Sequence, residues 1–142
     1  MPVTKNVFYF NLVNKQRYFL NKTSRLKSRK QIDMLFGKGN QFSNFPFKVI
    51  WLPQNNVSAL QVGIGVSSKS FKKAVDRNRI KRLIRESWRL QKNTLQQQLQ
   101  AGNKQLSVFI LYTHKELPEY TFVFEKISQV LERLIKIADA NH

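Results

Sequence analysis

The chain has 142 residues, of which 42% are hydrophobic and 12% aromatic, enough apolar surface for one ordinary domain around a single core. Its 25 Lys and Arg stand against 8 Asp and Glu, a formal net charge of +17, and so large a surplus repels itself in the folded state unless a polyanion neutralises it. Cysteine is absent, which excludes zinc ribbons, thiolate nucleophiles and disulfide frameworks, and no run approaches the roughly 20 apolar residues of a membrane span.

Residues 1–21 carry aromatics without a clear period and read as an extension ahead of a domain spanning 22–142. Their run Val7–Val13 is too short and too polar for a secretory signal, so a cytoplasmic protein is expected. Ser24 can cap a helix reaching Phe36, with Ile32, Leu35 and Phe36 on its apolar side and Gly37 and Gly39 ending it. Phe45 to Leu52 reads as a strand stopped by Pro53 and the turn-forming pair Asn55-Asn56. Ala59 to Ser67 reads as a second strand, alternating at Leu60, Val62, Ile64 and Val66, and the two are expected to pair as a hairpin. A helix follows from Lys72 to Lys92, its buried stripe formed by Ile80, Leu83, Ile84, Ser87 and Trp88. The glutamine-rich stretch Gln96–Asn103 reads as a polar loop. Leu106–Tyr112 suits a central strand buried on both faces. An amphipathic helix from Tyr120 to Ala138 turns Ile127, Val130, Leu131, Leu134 and Ile135 inward. The order α-β-β-α-β-α predicts a single-domain α+β sandwich.

The density of charge on the second helix is its informative feature. Lys69, Lys72, Lys73, Arg77, Arg79, Lys81, Arg82, Arg85 and Arg89 face only Asp76 and Glu86 as acids. At about 100° per residue, Asn78, Arg82, Arg85 and Arg89 form a stripe roughly opposite Ile84. Guanidiniums at that spacing can meet successive phosphates through paired hydrogen bonds. Like charges three and four residues apart destabilise a helix, so a merely solvated face explains this stripe poorly. The apolar stripe has the width needed to cover a sheet, not to lie in lipid. Helix-turn-helix, zinc-finger and zipper patterns are missing, and structured RNA fits the composition best.

The segment Ala74-Val75-Asp76-Arg77-Asn78-Arg79-Ile80-Lys81-Arg82-Leu83-Ile84-Arg85-Glu86 closely resembles the signature of the bacterial ribonuclease P protein family. Arg25-Leu26-Lys27-Ser28 through Phe36-Gly37-Lys38-Gly39 is similar to that family's first helix and its glycine-ended loop, and Val62–Ser67 to the strand before its basic helix. The resemblance covers residues from about 22 to 138. It implies a sandwich with a left-handed β-α-β crossover, an exception to the usual handedness. It also implies a role as the protein subunit of an endoribonuclease that removes the 5′ leader of precursor tRNA, with the chemistry and its Mg²⁺ carried by the large RNA subunit. The expected partners are that catalytic RNA and precursor tRNA, with no membrane and no obligate protein partner. By this resemblance Arg77, Asn78, Arg79, Lys81, Arg82 and Arg85 face the catalytic RNA, and Lys69, Lys72, Lys73 and Arg89 extend the basic surface. A leader-binding groove is expected from Ile32, Phe36, Phe47, Val49 and Trp51. Ile32 departs from the phenylalanine of many family members and leaves only apolar contact there.

Two other function classes compete. A general RNA-binding or ribosomal protein shares the charge but not the Arg-Asn-Arg signature. A protein nuclease is opposed by the residues themselves: His114 and His142 are the only histidines, and the eight acids are scattered without a paired-carboxylate metal site. His114, beside Lys115 and Glu116, reads as a surface loop residue.

Overall fold

The computed structural model describes residues 25–26, 28–54 and 59–140; the expected extension 1–21, Ser24, the Asn55-Asn56 turn and His142 lie outside the described residues. Helix α1 (Arg29–Lys38) starts later than the Ser24 cap predicts. Its N-cap is Ser28, whose Oγ accepts a hydrogen bond from the Gln31 amide at 3.4 Å. The reason lies just upstream: Arg25 forms a bridge beside Val62, and the Leu26 amide donates to the Val62 carbonyl at 2.9 Å. Those residues are held extended along a strand and cannot also begin a helix. Gly39 closes α1, its amide donating to the Leu35 carbonyl at 2.8 Å. A Cβ there would collide with that same carbonyl oxygen.

Four strands follow in one sheet of order β1-β2-β4-β3: β1 (Asn40–Asn44), β2 (Phe47–Pro53), β3 (Leu60–Val66) and β4 (Leu106–Tyr112). The expected β2–β3 hairpin does not form. β2 pairs antiparallel with β1 and with β4, while β3 pairs in parallel with β4 and, on its other edge, takes only the Arg25–Val62 bridge. β4 is the most apolar strand, and the central place covers both its edges and most of both its faces. β1 was not anticipated: only Phe42 in Asn40–Asn44 is apolar, and it is buried against the helical layer.

Between the parallel neighbours β3 and β4 the chain crosses over through α2 (Ala74–Gln91) and α3 (Asn93–Ala101). Helix α3 replaces the expected glutamine-rich loop. Leu95 and Leu99, four residues apart, are both fully buried, and that pair fixes the helix against the core while the glutamines stay outside or half-buried. Helix α4 (Tyr120–Ala140) ends the described chain. The main core lies between the sheet and α2, α3 and α4, with Phe47, Val49, Val62, Ile80, Ile84, Trp88, Val108, Ile110, Ile127 and Leu134 at its centre. A smaller cluster on the opposite face of the sheet joins Leu26, Leu35 and Ile50, with Ile32, Leu52 and Phe109 packed on it. The domain therefore has three layers: α1, the sheet, and the three remaining helices.

Candidate RNA interface

Helix α2 divides into flanks of opposite character. Ile80, Ile84, Ser87 and Trp88 are buried on the sheet, and Leu90 packs with Phe124 of α4. The Gln91 amide group ties the same side to α4 by donating to the Phe124 carbonyl at 3.0 Å. With that side occupied, the flank turned away from α4 carries Asn78, Lys81, Arg82, Arg85 and Arg89. Asn78, Arg79, Arg82 and Arg85 are exposed, Lys81 and Arg89 are half-buried, and Lys69, Lys72 and Lys73 stand exposed on and beside the preceding loop.

These side chains differ in how far their charge is already answered. Arg89 is paired with Glu86, its Nε donating to Oε2 at 3.1 Å and its Nη2 to Oε1. Arg77 turns back on its own chain: Nη1 donates to the Phe71 carbonyl at 2.7 Å and to the Lys72 carbonyl at 2.8 Å. That closes the loop into α2, whose N-cap Lys73 offers no side-chain cap. Arg82 and Arg85 have no carboxylate partner among the described residues. Partial burial holds Arg85 below the ordinary arginine range, and repulsion from Arg25 and then Arg82 adds to this. The guanidinium nevertheless stays protonated at any physiological pH. Three like charges thus share one region without an acid between them, an arrangement that a phosphate would relieve.

Arg25 was not singled out from the sequence. It stands exposed at the outer edge of β3, bridged to Val62, so this basic surface wraps from α2 around the sheet edge. Its signal was local: it opens the Arg25–Ser28 segment that carried the family resemblance.

The expected groove divides between the two faces of the sheet. Ile32 is half-buried and Phe36 keeps 45% of its surface exposed on the α1 side. Phe47 and Val49, exposed by 1% and 0%, belong to the main core on the other face and cannot touch a ligand. Trp51 shares their parity and lines a cavity of about 340 Å³ with Leu99, Lys104 and Ile137, away from α1. The even-numbered residues of β2, Lys48, Ile50 and Leu52, are the ones that face α1. Opposite them β4 presents Phe109 and Leu111, and β3 presents Gly63 and Gly65. Phe36 and Phe109 meet with ring centroids 5.0 Å apart and planes at 60°. The α1 face therefore carries an aromatic pair, glycines along one strand and a lysine on another.

The described residues bring together no group of three or more His, Cys, Asp or Glu able to hold a metal ion. None of their helices is long and apolar enough to cross a membrane. In class this is a three-layer α+β domain with guanidiniums that have no carboxylate partner among the described residues and a partly exposed aromatic pair on its α1 face.

Comparison with known proteins gives the family. The family model for ribonuclease P matches residues 20–138. The chain is 32% identical over 117 residues to the ribonuclease P protein component of Porphyromonas gingivalis, covering 81% of this chain and 85% of that one. It is 34% identical over 119 residues to that of Bacillus pumilus, covering 82% and 89%. In structure it is similar to the RNase P protein from Thermotoga maritima, with a TM-score of 0.61, 28% identity and coverage of 77% of this chain and 96% of that one. The RNase P protein of Staphylococcus aureus, at 22% identity and a TM-score of 0.58, shares the fold. This chain belongs to the ribonuclease P protein family. Its role is that of the protein component in a ribonucleoprotein endonuclease of tRNA 5′ processing, with the ribonuclease P RNA as partner.

Proposed function

We propose that the basic flank of α2, together with Arg25 at the β3 edge, binds the catalytic RNA, and that the α1 face of the sheet holds the 5′ leader of precursor tRNA in the cytoplasm. The observation that carries this reading is that Arg85 sits among the like charges of Arg25 and Arg82, and none of the three has a carboxylate partner among the described residues. Two RNA segments meet the protein in this arrangement. The structured RNA lies along the helix and supplies phosphates to guanidiniums. The leader is unpaired, so it can lay its bases on apolar and aromatic side chains with little regard to their identity. The protein thus binds and positions, and Mg²⁺ is held mainly by the RNA subunit, which supplies the hydrolytic chemistry.

The test is cleavage of radiolabelled precursor tRNA by a bacterial ribonuclease P RNA at low Mg²⁺, with and without this protein. Accurate 5′ cleavage that the RNA alone does not achieve, and that the protein alone does not perform, supports the reading. Tight binding to the RNA with no change in cleavage favours a general RNA-binding role.

A further inference from the structure

We propose that Phe109 is a leader-binding residue of this chain, forming with Phe36 a two-ring seat for one unpaired base, with Lys48 beside it for the adjoining phosphate. This rests on the reading that the α1 face holds the 5′ leader, and it assigns the base contact to a residue outside the set expected from the sequence.

The seat follows from the sheet register. Phe109 stands on β4 between Ile50 of β2 and Gly63 of β3, and the next row on the same face is Lys48, Leu111 and Gly65. Gly63 and Gly65 leave the space that the Phe109 ring fills. A Cβ at position 63 would come within 2.8 Å of its Cδ2, and one at position 65 within 2.9 Å of its Cε1 and Cζ. The ring therefore lies across both glycines, low against the β3 backbone, and remains only partly buried. Phe36 rises from α1 beside it as a wall. With the two planes at 60°, a base cannot lie parallel to both rings. It stacks on one and meets the edge of the other, an arrangement favoured by the charge distribution of aromatic rings. Every base offers such a face, so the seat accepts a leader of any sequence.

Lys48 supplies the charge. It is half-buried, one row from Phe109, with no carboxylate partner among the described residues. Its flexible ammonium suits a phosphate whose position shifts from one leader to the next. Phe36 keeps 45% of its surface exposed even with the Phe109 ring against it, whereas Phe47 on the adjacent strand is sealed in the core. An aromatic pair that existed only to close the sheet would be covered as Phe47 is.

The experiment uses the holoenzyme assembled from the full chain and a bacterial ribonuclease P RNA. Affinity is measured for precursor tRNAs bearing either a long unpaired leader or a single-nucleotide one. Phe109→Leu keeps an apolar side chain on the sheet and removes the ring. It is expected to weaken binding of the long-leader precursor roughly tenfold, leaving the single-nucleotide precursor and the RNA subunit bound as before. Phe109→Tyr, which keeps the ring, is expected to behave as the wild type and shows that the loss belongs to stacking and not to folding. Equal losses on both precursors, or the same leader preference in Phe109→Leu as in the wild type, overturn the assignment of Phe109 alone. A wild-type holoenzyme indifferent to leader length overturns the leader reading and this inference together.

Discussion

Arg77 and Arg82 lie five positions apart on α2 and carry the same charge, yet their surroundings assign them different tasks. Arg77 spends its guanidinium on the Phe71 and Lys72 carbonyls, so its removal opens the loop that starts the helix. Hydrogen bonds from a charged donor are worth about 1.5–3 kcal/mol each before exposure discounts them, so Arg77→Ala is expected to cost roughly 1–2 kcal/mol of stability. In a calorimeter that appears as a melting temperature several degrees lower. Arg82 and Arg85 meet no acid, so Arg82→Ala or Arg85→Ala is expected to leave melting unchanged or raise it slightly. Each should instead lower the slope of log affinity against log salt by about one phosphate contact for the ribonuclease P RNA. Filter binding over a salt series separates the cases. Salt slopes unaltered in both variants would remove these two residues from the RNA surface. Glycines act at the same scale without charge: Gly63 and Gly65 matter because a ring occupies the space above them.

Among the elements, β4 and the loop after it show how local signals and long-range pairing divide the fold. Long periodic segments were legible in the sequence: α2, α4 and β4 lie close to where apolar spacing puts them. The faces of β2 were not. Phe47, Val49, Ile50, Trp51 and Leu52 are apolar on both parities, so alternation cannot say which set meets α1, and only the register with β4 decides it. The family resemblance places Phe47, Val49 and Trp51 in the groove, and nothing in the apolar pattern of β2 contradicts it; the register does. Helix α3 was hidden by its glutamines, although Leu95 and Leu99 carried the spacing. At the end of β4, Tyr112 is buried against Phe47 and Phe71 and its hydroxyl donates to the Glu116 carbonyl at 2.6 Å, tying the strand to the turn before α4. Burial, with Glu116 adding, pushes its pKa up to about 12. The unfolded chain ionises this phenol near 10, so hydroxide stabilises the unfolded state first. The contribution of Tyr112 is therefore complete below pH 10 and lost as pH climbs from 10 through 12. Tyr112→Phe is expected to be less stable than the wild type by about 1 kcal/mol at pH 7, through the lost hydrogen bond. That gap should close or reverse above pH 10 in urea unfolding. A constant gap across this range would show that the phenol ionises alike in both states.

For the whole molecule, charge is segregated. Residues 69–92 hold ten Lys and Arg against Asp76 and Glu86, a surplus of eight out of the chain's +17. The exposed face of α4 is nearly balanced, with Glu125, Glu132 and Asp139 set against Arg133 and Lys136. Because α4 covers one flank of α2, the basic flank is left over the β3 edge, where Arg25 continues it toward the α1 face. RNA approaching from that edge can meet the helix and the groove at once, while α4 remains on the solvent side. Total charge alone makes a different prediction from this geometry. If only the +17 mattered, reversing any exposed cation would weaken binding equally. At about 0.15 M ionic strength the screening length is about 8 Å, so a distant reversal is largely hidden and a contacting one is not. Lys136→Glu on α4 is expected to leave affinity for the ribonuclease P RNA within roughly twofold at that salt, with Arg82→Glu losing more than about tenfold. Lowering the salt to about 0.01 M stretches the screening length to about 30 Å, and the α4 variant should then begin to lose affinity through the long-range field. Equal losses for the two variants at physiological salt would place the RNA over both surfaces and remove the β3 edge as its point of entry.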